Sequence, residues 1–401
     1  MKVLFDHQIF FQNKYGGITK IFFEIFKKLD QERINYSIPL DLSSYEDGKI
    51  FSQFGARQIN QVKPFSLYGL YKVTLSIFRK LGLQIPDFLL NKESGIQRFS
   101  LSREIKFVNE EVVSALTNNE YTVFHPTYYH RYYLNSIEQS KTKLVLTIHD
   151  CVHELFPEYY GSNNFLLRNR EILSKAADRI VCVSNSTKDD FLSIYNHIPK
   201  EKVFVIHNAG DLSKEPVEGT QDFGADYILF VGNRGEYKNF EFLLKVFSSL
   251  SREKKLILVC AGGKSFSPKE LKNINGLGLS DKVKHVSFSS DTVLANLYRN
   301  AKLFVYPSLY EGFGIPLLEA MSVGCPVFCS DIKVFKEVAG DAAEYFDPKN
   351  ATAFCELLLE NLNSTHKLES LRMKGYERVK AFSWDKCTNS YLEIYKELSK
   401  V

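Results

Sequence analysis

The sequence predicts an α/β protein of two domains, and three observations carry that expectation. At 401 residues the chain is longer than one ordinary core needs and long enough for two stable ones. Short apolar runs of strand length alternate along it with longer stretches whose apolar residues recur at helical spacing. Residues 304–331, FVYPSLYEGFGIPLLEAMSVGCPVFCSD, form a complete strand, loop, helix, strand unit within 28 residues.

Composition narrows the class. Hydrophobic residues make up 44 % and charged residues 24 %, as in soluble globular proteins. A net charge of +4 is small for this length and does not argue for nucleic acid. No uninterrupted apolar stretch approaches the roughly 18 residues of a spanning helix. Asp6 and His7 interrupt MKVLFDHQIFF, so it does not read as a signal-peptide core, which gives a cytoplasmic expectation. The cysteines (151, 182, 260, 325, 329, 355, 387) contain no CxxC pair and sit mostly in apolar runs, which favours reduced thiols over disulfides or zinc.

In chain order, KVLFD at 2–6 reads as the first strand. A helix from Ile18 to Leu29 follows, with Ile21, Phe22 and Ile25 on its apolar face. Tyr15-Gly16-Gly17 ends the loop between them at the helix start, where backbone can approach a phosphate, although a plain turn explains a Gly-Gly equally well. Residues 60–106 carry eight basic side chains against three acidic ones, interleaved with aromatic and aliphatic residues. Two readings stay open for this segment: a surface resting on anionic lipid and meeting a lipid-linked acceptor, or a helical insertion with an apolar face on the N-terminal domain.

YTVFHP at 121–126 reads as a strand ending at His125, and TYYHRYY follows it. Aromatic rings such as Tyr128 stack on sugar faces, so this stretch is a candidate acceptor side. The next strand, KLVLTIHD, delivers His149 and Asp150 at its C-terminal end, where α/β sheets place ligands. His130 and His153 also fall near such loops. DRIVCVSNSTKDDF reads as a strand and a helix capped by Ser184 or Ser186, with Asp189 and Asp190 in its first turn. Residues 209–226, polar and rich in Gly and Asp, read as a linker between a domain of residues 1–208 and one of residues 227–379.

The second domain opens with YILFV, followed by Gly232, Asn233, Arg234, Gly235 and then Lys238-Asn239 before a helix. An Arg and a Lys at a strand-to-helix turn can neutralise a diphosphate, one as a fork and one as a point charge. KLILVCAGG ends in Gly262-Gly263, but AGGKSF lacks the G-x-G-x-x-G spacing of a dinucleotide site. VKHVSF ends at Phe288 and leads to Ser289. In residues 304–331 the glycines Gly312 and Gly314 allow close approach of a ligand, and the helix opened by Pro316 offers unpaired N–H groups and a positive dipole end to a phosphate. Glu311 and Glu319 flank that anion site. Phosphate does not choose carboxylates, so they read as acceptors for hydroxyls on something attached to it, as in a sugar nucleotide.

Glu311 and Glu319, seven residues apart within E-GFGIPLL-E, resemble the signature of the retaining family 4 glycosyltransferases. The resemblance covers nearly the whole chain and is most specific in 228–240 and 304–346. It implies the GT-B fold: two Rossmann-like domains facing an interdomain cleft, the donor held mainly by the second and the acceptor by the first, with a C-terminal helix in 380–401 packing back on the first. It also implies residue roles. Gly16 and Gly17 would face the donor diphosphate, His149 would lie beside the donor sugar, and Phe288 and Ser289 would lie along the nucleotide base. Lys238, preceded by Gly232 and Asn233, matches the phosphate clamp of the family; the loop here is one residue shorter and puts Arg234 earlier. The backbone of Gly312, Phe313, Gly314 and Ile315, with Leu318, would hold the donor, Glu311 its sugar hydroxyls and Glu319 its ribose. Asp150, His125 and Tyr128 remain acceptor-side candidates.

The implied activity is metal-independent hexosyl transfer, without a cofactor, from a GDP- or UDP-linked sugar to a glycan or lipid-linked glycan in surface-polysaccharide synthesis. The GNRGEYKNF form resembles bacterial transferases that include mannosyltransferases. A sugar-nucleotide epimerase of the same fold and a noncatalytic sugar-nucleotide sensor are the alternatives.

Overall fold

In the computed structural model the described residues are 1–12, 16–39, 105–160, 165–212, 223–288 and 290–400. Most of the basic segment 60–106 and the centre of the expected linker therefore lie outside the described residues, as does Ser289. Among the described residues twelve strands form two six-stranded sheets.

The first sheet contains β1 (Lys2–Phe5), β2 (Asn35–Ser37), β3 (Val123–His125), β4 (Lys143–Ile148), β5 (Arg179–Cys182) and β6 (Val203–Val205), in the order β2-β1-β3-β4-β5-β6. Its pairs β1–β2, β1–β3, β3–β4 and β5–β6 are parallel. The second contains β7 (Tyr227–Val231), β8 (Ile257–Ala261), β9 (Val283–Val286), β10 (Leu303–Tyr306), β11 (Val327–Ser330) and β12 (Ala343–Phe346). Its order, β12-β11-β10-β7-β8-β9, is parallel throughout and is that of the doubly wound dinucleotide-binding fold. β7, β8, β10 and β11 are almost wholly buried, as strands covered on both faces must be, and so read as continuous apolar runs. The strand order reverses between β7 and β10, and ligands of such sheets bind beyond the carboxyl ends of the strands there.

By its internal contacts the chain forms two compact units, one of Met1–Thr147, Arg168–Arg179 and Tyr391–Val401, the other of Ile148–Leu167 and Ile180–Ser390. In the first, the helix Gly17–Gln31 buries Ile21, Phe22, Ile25, Phe26 and Leu29, the face its spacing predicts. The C-terminal helix Trp384–Leu398 contributes Tyr391 and Tyr395 to this core. Among the described residues no helix is long and apolar enough to cross a membrane.

His125 departs from its expected acceptor-side role. Its side chain is fully buried, with Nδ1 2.6 Å from the Tyr395 hydroxyl, Nε2 2.8 Å from Thr147 Oγ1, and the Tyr391 ring stacked on it. With both ring nitrogens engaged, His125 is a satisfied core residue.

Just past β1, Asp6 is buried and ties the ends of β1 and β3 together. It accepts from Thr127 N at 2.8 Å, Thr127 Oγ1 at 2.6 Å and Gln8 Nε2 at 2.5 Å. Burial pushes its carboxyl up to about 6, and these donors offset only part of that effect. The folded value lies above the unfolded one, so the contribution to stability is fully present below about pH 4 and is lost as pH rises through 6. Chemical denaturation across pH 4–6.5 should therefore show wild-type stability falling relative to Asp6→Asn, by on the order of 2–3 kcal/mol. A difference that stays constant over that range would contradict this assignment.

Candidate active site

Two loops at the strand-order reversal of the second sheet build the site. The first leaves β7 at Gly232, whose N–H bonds Ala261 O at 2.9 Å and whose φ of 120° suits glycine. After Asn233, Arg234 and Gly235, a 3-10 turn at Glu236–Lys238 leads to Asn239 in the left-handed region and then to the helix Phe240–Glu253. Asn239 Nδ2 holds this corner by donating to Pro348 O at 2.8 Å.

The second loop leaves β10 through Pro307 and Ser308. Leu309 N donates to Tyr237 O at 2.8 Å and so joins the two loops. Lys238 Nζ reaches Glu311 Oε1 at 2.5 Å and the Tyr306 hydroxyl at 3.3 Å, and Ser308 Oγ donates to the same Glu311 oxygen at 2.7 Å. The two charged side chains are only 13 % and 12 % exposed. Burial alone would depress the Lys238 ammonium, but the Glu311 carboxylate and Tyr306 beside it outweigh that and hold it above the ordinary lysine range. Lys238 is a fixed cation.

Beyond Glu311 the chain turns at Gly312 and Gly314 into the helix Ile315–Ser322. A Cβ at Gly312 would stand 1.7 Å from the carbonyl oxygen of His149, so only glycine lets the two backbones meet. Gly314, with φ of 104°, opens the helix, and no side chain caps it. Helix starts without a side-chain partner suit anions. Phe313, Ile315 and Leu318 are buried, and the chain at Gly210 packs on this first turn, where a Cβ would lie 2.7 Å from Ile315 O. Glu319 is 7 % exposed. It lies near Tyr298, whose hydroxyl is pushed up first by burial and then by the Glu319 charge.

The loop after β4 joins the same unit. Asp150 Oδ1 accepts from Val152 N at 3.1 Å, and Cys151 N donates to the Tyr310 hydroxyl at 3.1 Å. Tyr160 stacks on His153, with ring centroids 3.8 Å apart. Its hydroxyl is pushed up to about 12, by burial first and then by Asp150 and Glu311 against the opposing pull of Lys238. Sequence reasoning missed Tyr160, Tyr310 and Gly210. The sequence carries no motif for the last two, and Tyr160 is marked only by its aromatic neighbours.

The structure thus brings Lys238, Glu311, Gly312 and His149 together. Arg234 points elsewhere: Nε donates to Glu270 at 2.6 Å, the terminal nitrogens donate to Gly262 O and Lys264 O, and the guanidinium lies over Phe266. Phe288 packs at Gly262, where a Cβ would meet its ring at 3.0 Å. In the first unit Gly16 is the extended N-cap of the helix that begins at Gly17, and Tyr128 lies against Tyr129 with ring centroids 4.8 Å apart.

Comparison with known proteins agrees with this geometry. The family model described as glycosyl transferases group 1 matches residues 214–378, and that described as glycosyltransferase family 4 matches residues 97–214, so the two run on from one another over most of the chain. The chain belongs to the family 4 glycosyltransferases. Among relatives of this glycosyltransferase, O-antigen chain mannosyltransferase B of Escherichia coli is 28 % identical over 270 residues, covering 64 % of this chain and 71 % of the relative. O-antigen chain mannosyltransferase RfbU of Salmonella typhimurium is 33 % identical over 229 residues, covering 53 % and 63 %. The serotype-specific mannosyltransferase WbdA of Escherichia coli is a longer protein, of which the chain spans 34 %. In fold the glycosyltransferase is similar to sucrose-phosphate synthase from Thermosynechococcus elongatus, with a TM-score of 0.74, 18 % identity and 99 % of each chain covered. It is also similar to Anabaena HepE, solved in complex with UDP and glucose, with a TM-score of 0.70, 17 % identity and coverage of 99 % and 100 %. These likenesses establish the GT-B fold of two Rossmann-like domains.

Gly312→Ala tests the backbone contact that places Glu311. We expect loss of stability of about 1–3 kcal/mol in chemical denaturation, as for overpacking in a core, with transfer activity lost. Full activity and unchanged stability would show that the loop is not seated on His149.

Proposed function

We propose that this glycosyltransferase moves a mannosyl residue, with retention, from GDP-mannose to a glycan or lipid-linked glycan acceptor in surface-polysaccharide synthesis. The observation that carries the reading is the Lys238–Glu311 pair beside the uncapped helix start at Gly314. Lys238 uses two of its three N–H donors on Glu311 and Tyr306, which leaves one for a phosphate oxygen. Lys238 and Ser308 both donate to Oε1 of Glu311, so its other oxygen, Oε2, is the one offered to a sugar hydroxyl. Glu319, on the same helix, is the acceptor offered to the ribose.

In this mechanism an acceptor hydroxyl oxygen forms the new bond to the anomeric carbon from the face that the diphosphate leaves. The bond from that carbon to the phosphate oxygen breaks, and the acceptor proton passes to the departing phosphate oxygen. Lys238 and the N–H groups at the start of Ile315–Ser322 stabilise the charge that grows on the diphosphate. The reaction needs no cofactor, and with these groups in place it needs no metal. His149 and Asp150 sit on the backbone that touches Gly312 and belong to the sugar side. Arg234, bonded to Glu270 and two carbonyls, braces the phosphate loop in this reading.

The names of the mannosyltransferase relatives support mannose as the sugar moved, and transferases and synthases among the likenesses support transfer over epimerisation. A thermal-shift panel of GDP-, UDP- and ADP-sugars should give its largest shift with GDP-mannose; a larger shift with a UDP-sugar would overturn the donor assignment. In a transfer assay with that donor Glu311→Gln should lower kcat by about 100-fold or more while nucleotide binding by thermal shift persists, and Lys238→Met should weaken nucleoside diphosphate binding as well. Near wild-type turnover in both variants would sink the reading.

A further inference from the structure

Glu337, on the helix Lys333–Ala339, has no part in the site described above, yet its carboxylate accepts from three residues nearby. Oε1 accepts from Asn185 N at 2.7 Å and Asn185 Nδ2 at 2.9 Å, and it pairs with His207 Nε2 at 2.7 Å. Oε2 accepts from Ser186 N and Ser186 Oγ, both at 2.9 Å. An ionised carboxylate only accepts, so His207 carries its proton on Nε2. Burial would push the Glu337 carboxyl up, but these bonds hold it down at about 2, so the group is charged throughout the neutral range. Arg378 clamps the end of the Glu337 helix by donating to Val338 O at 2.8 Å and Glu337 O at 2.5 Å.

Apart from His207, the partners of the Glu337 carboxylate are the first residues of the helix Asn185–Ile194. That helix already has a cap, because Ser184 Oγ accepts from Thr187 N at 2.9 Å. A second, charged anchor on the same turn does more than finish a helix end: it fixes where the turn sits. Two hydroxyls of the turn then hold the donor-site loop, Ser184 Oγ donating to Gly312 O at 2.7 Å and Thr187 Oγ1 to the same oxygen at 2.8 Å. Further along the helix Asp190 Oδ2 accepts from the Tyr310 hydroxyl at 3.0 Å, and Tyr310 in turn accepts from Cys151 N. Glu311 lies between the two residues so tied, Tyr310 and Gly312, and all of these groups lie in one compact unit.

We propose that Glu337 is a positioning residue for Glu311, acting through the first turn of Asn185–Ile194 and its hydroxyl bonds to Gly312. The inference rests on the reading of Glu311 as the carboxylate of the donor sugar. A displacement of about 1 Å at a reacting group can lower a rate by about 100-fold, so a loose anchor should appear in kcat.

The test uses the full chain with GDP-mannose, or with whichever sugar nucleotide gives the largest thermal shift, and reads kcat, donor KM and Tm. Variants are Glu337→Gln, Thr187→Val, Thr187→Ser and the double variant Glu337→Gln with Thr187→Val, with Glu311→Gln as reference. All are assayed about 10 °C or more below their own Tm, so that unfolding does not enter. Glu337→Gln and Thr187→Val should each lower kcat by about 10- to 100-fold with donor KM changed by less than about threefold. Thr187→Ser, which keeps the hydroxyl, should stay within about twofold of wild type. The double variant should be no slower than the slower single variant, because both act through one path. Lower Tm with unchanged kcat, or losses that multiply in the double variant, would overturn the proposal and leave the role of Glu311 intact. Turnover that persists in Glu311→Gln would remove the reading beneath it as well.

Discussion

The ion pair between Lys238 and Glu311 is the interaction on which the site depends. Both side chains are about seven-eighths shielded from solvent, and withdrawing each charge from water costs several kcal/mol before their attraction, the bond Ser308 donates to Glu311 and the bond Lys238 donates to Tyr306 offset it. A pair of well-packed apolar residues would serve stability as well or better. Its position gives it meaning. The cation comes from the loop after β7 and the anion from the loop after β10, the adjacent strands at which the sheet order reverses and where the backbone of a parallel sheet leaves room for a ligand.

Backbone packing around the pair leaves its loops little freedom. Gly312 meets the His149 carbonyl where no Cβ fits, Gly210 seats against the first turn of Ile315–Ser322, and Leu309 N joins the Lys238 loop to the Glu311 loop. The helix start at Gly314, the Glu311 carboxylate and the His149 strand end are thereby held in one unit. Arg234 follows the same logic. Its guanidinium, 5 % exposed, spans Glu270 and the carbonyls at 262 and 264, and so shapes the loop on which Lys238 stands.

Much of this was legible in the sequence, and the limits have physical causes. β7 begins and ends where its apolar run does, and the unit at 304–331 is marked by apolar strands, two glycines and a proline at the helix start. These are local signals. Lys238 and Glu311 stand 73 residues apart, so nothing in periodicity pairs them, and the resemblance to a family supplied that step. His125 reads in sequence like any histidine at a strand end; its partner Tyr395 lies 270 residues away on the last helix, and so its burial in the core had no local sign. Ser184 proved to be the helix cap, while Asp190, expected in the first turn, lies in the second and serves Tyr310 instead. Nothing near Glu337 in the sequence marks it, because its partners Asn185, Ser186 and His207 stand 130 to 152 residues away.

In the proposed mechanism Lys238 and Glu311 divide one donor between them, the cation taking the diphosphate and the carboxylate the sugar. A crystal structure with a nucleoside diphosphate and its sugar bound measures this most directly. We expect Lys238 Nζ within about 2.7–2.9 Å of a phosphate oxygen, with Glu311 Oε2 accepting from a sugar hydroxyl. A diphosphate seated away from the Gly314 helix start, with Lys238 bonded only to Glu311 and Tyr306, would contradict it.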